Sequence, residues 1–118
     1  MVTIKSFTSI EQSRKLAEIL PLESADMVYT ITNGYHTPWI RIEKIDELDK
    51  DDVCAWSLAA LLDVIPCGQV NRMANSDKWE ASSWNDSDFE PAYYVENYDN
   101  PVDACVAMIE RLHELKML

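Results

Sequence analysis

Asn100-Pro101-Val102-Asp103-Ala104-Cys105-Val106-Ala107-Met108-Ile109-Glu110-Arg111-Leu112-His113 reads as one helix from end to end. Asn100 is a capping residue, and Pro101 suits the first helical position, where a missing N–H costs nothing. Asp103 complements the positive end of the helix dipole. Val102, Cys105, Val106, Ile109, Leu112 and His113 recur at three- and four-residue steps, which predicts one stripe turned to a core. A striped helix needs a second layer to cover it.

Two further helices are predicted upstream. The first starts at Thr8 or Ser9, with Glu11 and Gln12 placed as reciprocal capping partners and Pro21 as its stop. Ile10, Leu16, Ala17, Ile19 and Leu20 make its loose apolar stripe. The second is expected from about Asp52 to Asp63. Its Val53, Ala55, Trp56, Leu58, Ala59, Ala60, Leu61 and Leu62 leave almost no polar face, the pattern of a central buried helix.

The covering layer comes from β-rich stretches between the helices. Met27 to Thr32 is a strand, Asn33-Gly34 a turn, and Trp39 to Ile42 the returning strand, with Pro38 at its start. A second hairpin runs from Gln69 to Ala74, turns at Asn75-Ser76-Asp77 and returns over Lys78 to Trp84. Ala92 to Tyr98 reads as a further strand before the last helix. The expected fold is α+β: two antiparallel β-hairpins forming a sheet of about four strands packed with three helices, in the order α-ββ-α-ββ-α. The 118 residues suffice for a single domain, 1–118, with one core.

The net charge of −11 is concentrated in two segments. Glu43 to Asp52 carries −4 and Asp77 to Asp103 carries −7, while the remaining stretches balance. Charge confined in this way makes a directed field rather than general solubility. It also argues against direct nucleic-acid binding, which draws on Lys and Arg. Only Gly34 and Gly68 occur, so no glycine-rich phosphate loop can be written and no nucleotide cofactor is expected. The start of the chain lacks the apolar run of a signal peptide, and Val53 to Ile65 is too short to span a bilayer. Cys54, Cys67 and Cys105 form an odd set without paired spacing, which reads as reduced thiols and a cytoplasmic setting.

Three blocks resemble a known group when taken together: Ser9 to Met27, Ala55 to Leu62, and Asn100 to Leu118. The chain resembles small uncharacterised proteins of Bacteroides-like gut bacteria, often encoded in prophage or other mobile-element regions. The resemblance implies a shared fold and a bacterial cytoplasmic setting. It transfers no catalytic or binding residue.

Chemistry-bearing constellations are sparse. Cys105 and His113 share a helix face but are separated by about 12 Å of rise, so they cannot form a nucleophile pair. No paired Cys or His spacing suggests zinc, so neither a metal nor a catalytic site is assigned. Asp86-Ser87-Asp88-Phe89-Glu90 starts like a calcium loop, yet its sixth and twelfth places hold Pro91 and Asn97 instead of Gly and Glu. Asp86, Asp88 and Glu90 therefore read as a solvated acidic turn, and with Trp84 they are the candidate partner-binding residues. The expected function is a non-enzymatic interaction protein, an accessory of a mobile element that contacts another protein and no membrane. Homo-oligomerisation is open. An acidic nucleic-acid mimic bound to a basic protein is the alternative, and an unrecognised enzyme the second.

Overall fold

The computed structural model describes residues 5–42, 44–84 and 91–118. Helix α1 (Ile10–Ala17) is followed by strands β1 (Met27–Thr32) and β2 (Tyr35–Ile40), then by β3 (Val53–Ala55). Helix α2 (Leu58–Val64), strands β4 (Gly68–Arg72), β5 (Trp79–Trp84) and β6 (Pro91–Tyr98), and helix α3 (Pro101–Glu114) complete the order. The fold is α+β, but the strands form two antiparallel three-stranded sheets, β2-β1-β3 and β4-β5-β6, rather than one sheet of about four. Among the described residues no helix is long and apolar enough to cross a membrane.

The extra strand of the first sheet comes out of the predicted second helix. Val53–Ala55 pairs antiparallel with Met27–Tyr29, and the helix starts only at Leu58. Ser57 decides the boundary: its hydroxyl accepts the Ala60 N–H at 3.2 Å, and the Asp26 carboxylate accepts both its N–H and its hydroxyl proton. The run Val53 to Leu62 is therefore two short elements joined at Trp56. Only Leu61 is buried within α2, so the central buried helix is not α2.

That role belongs to α3, which packs on β4, β5, β6 and α2. Eight of its residues are buried, including the whole predicted stripe except His113, which is exposed. Asn100 caps it through Asp103 N–H at 2.8 Å, and Pro101 sits in the first turn. Trp79, Ala81, Val70, Tyr93, Val95 and Tyr98 of the second sheet pack toward it. One buried cluster joins Leu16, Trp56, Leu61, Ala81 and Ile109, drawing on all three helices and linking the two sheets.

α1 has the predicted capping box, with Gln12 N–H bound to Ser9 Oγ at 3.2 Å and Ser9 N–H to Gln12 Oε1 at 3.1 Å. Just before it, fully buried Thr8 gathers a polar network. Its Oγ1 accepts the Trp56 N–H at 3.1 Å and lies 2.8 Å from Ser13 Oγ; its carbonyl accepts the Tyr29 hydroxyl proton at 2.7 Å. Every group there has a partner, so the network fixes α1 against the first sheet without a desolvation penalty. Between α2 and β4 the chain turns tightly: a Cβ on Gly68 would lie 2.8 Å from Ile65 Cβ.

Candidate protein-contact surface

The β1–β2 hairpin is the part of the structure least used by its own core. Asn33 and Gly34 both have positive φ, 52° and 82°, as a two-residue turn of the mirror-image type requires. The returning strand starts at Tyr35 rather than at Trp39, because this turn lets pairing begin at once with Thr32. Pro38 consequently lies inside β2 rather than at its start. It is tolerated because β2 is an edge strand.

The register assigns each side chain to a face, since residues opposite one another point the same way. Trp39 lies opposite Val28, and Tyr35 opposite Thr32, on one face. Ile40 opposite Met27, Pro38 opposite Tyr29, and His36 opposite Ile31 make the other. The inner half of β1 is covered: Val28 and Tyr29 are buried, and Phe7 stands 6.2 Å from the Tyr29 ring. The outer end of β1 and most of β2 are not. Ile31 is 50% exposed, Trp39 55%, Ile40 76% and Tyr35 77%. With Ile42, just beyond the strand, these are five of the eight large apolar side chains exposed among the described residues.

Beside the hairpin, β3 ends at its pairing of Val53 with Tyr29, so β1 beyond Tyr29 has no strand on that side. An open cleft of about 530 Å³ occupies the gap, lined by Thr30 and Ile31 and by the loop Glu47 to Asp52. The loop is pinned by a turn in which Asp52 N–H reaches the Asp49 carbonyl and the Asp52 carboxylate accepts Asp49 N–H, each at 3.0 Å. Glu47, Asp49 and Asp51 are exposed, and Lys50 is the cation lining the same cleft.

The second acidic segment is partly committed to the fold. Asp103 accepts from Lys5 at 2.9 Å, Gln12 at 2.8 Å and Asn100 at 2.9 Å, tying the starts of α1 and α3 together. Burial pushes its carboxyl up, but these donors and the Lys5 charge outweigh that and hold it below the ordinary aspartate value. Asp99 pairs with Lys78, whose ammonium it holds above its usual range. Of the four candidate partner-binding residues, Asp86, Asp88 and Glu90 lie outside the described residues. Trp84 closes β5 half-buried, its indole N–H donated to Ser82 Oγ at 2.9 Å. Trp79 packs into the core.

The thiols offer little chemistry. Cys105 is fully buried, and burial pushes its thiol up to about 12. Cys54 is also raised, first by burial and then by Asp52 and Glu23 against the lowering effect of Arg41. Cys67 is exposed. His113 is turned to the chain end, its Nδ1 3.0 Å from the Leu118 carbonyl oxygen. Among the described residues no three His, Cys, Asp or Glu side chains gather as metal ligands. Comparison with family models, curated proteins and solved structures found no match to this chain.

Proposed function

We propose that this chain is a non-enzymatic interaction protein that holds a partner protein on its β1–β2 hairpin. The observation that carries the reading is the concentration of exposed apolar side chains there: Ile31, Tyr35, Trp39, Ile40 and Ile42. Both faces of the hairpin carry part of it, Tyr35 and Trp39 on one and Ile31 and Ile40 on the other, and exposed apolar side chains gathered on one element mark contact sites, where aromatic anchors supply most of the binding energy. The hairpin is also ordered in advance by its own ladder, so a partner meets a preformed surface and little entropy is lost on docking. The resemblance to proteins of mobile elements supports an accessory role in a bacterial host. The raised thiols of Cys54 and Cys105 give no support to thiol catalysis.

The test is affinity capture with the parent chain and with a Tyr35→Ser/Ile40→Ser variant. The reading expects a protein that is retained by the parent and lost from the variant, with the variant still unfolding cooperatively within a few degrees of the parent. Equal retention by both chains would overturn it.

A further inference from the structure

Resting on that reading, we infer that the hairpin's partner is a basic polypeptide segment. It sets an apolar anchor on the Ile31/Pro38/Ile40 face and points Lys or Arg side chains at the acids of the neighbouring cleft. The juxtaposition is specific. Ile31 belongs to the exposed apolar face and also lines the cleft that Glu47, Asp49, Asp51 and Asp52 line from the other side. Neither ion pair among the described residues uses any of these acids. A partner covering Ile31 therefore comes within reach of a negative rim, and a charge of opposite sign is the one that rim accepts.

The same features argue against the other occupants. A second copy would bring its own acidic rim to the contact, and each copy carries −11. Edge-to-edge pairing of β2 with another strand is obstructed by Pro38. In an antiparallel ladder alternate residues face each neighbour. Thr32 and Tyr35 close the two-residue turn, so Tyr35, Thr37 and Trp39 turn their backbone to β1, and His36, Pro38 and Ile40 turn theirs outward. The middle outward position lacks an N–H, a device that blunts exposed strand edges. Docking is thus through side chains on the sheet face. A purely charged ligand would leave Ile31 and Ile40 uncovered.

Three labelled twelve-residue peptides separate these alternatives: one alternating Lys and Leu, one alternating Lys and Ser, and one alternating Glu and Leu. Binding is read by fluorescence anisotropy at 0.1 M and 0.5 M salt. The inference expects the Lys/Leu peptide to bind at least tenfold tighter than either control. Ile31→Ser should weaken it at least fivefold, and Asp49→Asn/Asp51→Asn should weaken it severalfold at low salt and much less at high salt. Glu/Leu binding equal to Lys/Leu, still lost in Ile31→Ser, would overturn the basic partner and leave the hairpin reading standing. Equal binding of Lys/Leu and Lys/Ser, unmoved by Ile31→Ser and by Tyr35→Ser/Ile40→Ser, would overturn both in favour of charge alone. Sedimentation showing self-association abolished by Ile31→Ser would replace the basic segment with a second copy.

Discussion

Helix α3 and the β1–β2 hairpin are built from similar material and put it to opposite use. Eight of the fourteen residues of α3 are apolar, and eight of its residues are buried. Seven of the twelve strand residues of the hairpin are apolar, and two are buried. The difference lies in what each element has to pack against. α3 is enclosed by three strands and a helix, whereas β3 pairs with only the first three residues of β1, and four of the six residues of β2 are exposed. Apolar content alone therefore does not distinguish a core from a contact surface; the cover does.

The contrast breaks most sharply at Ile109, which is fully buried. Ile109→Asp would place an unpaired carboxylate beneath the second sheet and remove an aliphatic side chain, together worth several kcal/mol against a total stability of about 5–15 kcal/mol. Cooperative thermal unfolding should disappear or fall to far lower temperature. A variant that melts near the parent would mean that α3 is not the centre of the fold.

A smaller loss is expected at the polar join between α1 and the first sheet. Thr8→Val keeps the shape but removes the hydroxyl that Trp56 N–H and Ser13 share, leaving a buried donor unsatisfied. The cost should be about 2 kcal/mol in denaturant unfolding. Ser13→Ala, which removes only a secondary partner, should cost less. The reverse order would show that Thr8 is not the hub.

Much of α3 was legible because a helix announces its buried face by period and its ends by caps: Asn100, Pro101 and the stripe to Leu112 all stand where the pattern puts them. The capping box of Ser9 and Gln12 was legible for the same reason. The second helix was misjudged because Val53 to Leu62 is apolar without interruption except at Ser57, and a three-residue strand is too short to show an alternation of its own. Ser57 was the available signal: a capping residue within an apolar run marks a start, not an interior. The hairpin was legible as a hairpin but not as a surface. A β-branched and aromatic strand looks alike whether a neighbouring layer covers it or leaves it bare. The cleft depends on where β3 stops relative to Tyr29, a tertiary fact.

Asp103 sharpens the comparison through pH. Its folded carboxyl is held below the ordinary value by Lys5, Gln12 and Asn100, against the opposing effect of burial. A depressed carboxyl contributes stability that is present above the unfolded value, near 4, and is lost as pH falls through the folded value. The parent should therefore lose thermal stability on acidification below about pH 4. Asp103→Asn should start about 1 kcal/mol less stable at pH 7, and its decline below pH 4 should be shallower. Parallel curves for the two proteins would mean that the network does not bias the carboxyl.

The smallest effect on the fold is expected where the largest effect on binding is proposed. Tyr35 and Ile40 are 77% and 76% exposed, so replacing both with Ser removes little buried area. What the strand loses is intrinsic β preference and a few contacts across the ladder, which together should stay within about 1 kcal/mol. The backbone pairing of β2 with β1 and the Asn33-Gly34 turn remain, and they hold the hairpin without these side chains. Urea unfolding of the double variant should give a midpoint close to the parent with an unchanged slope. A loss as large as that of Thr8→Val would place these residues in a folded-state contact, and the hairpin would then belong with α3 rather than opposite it.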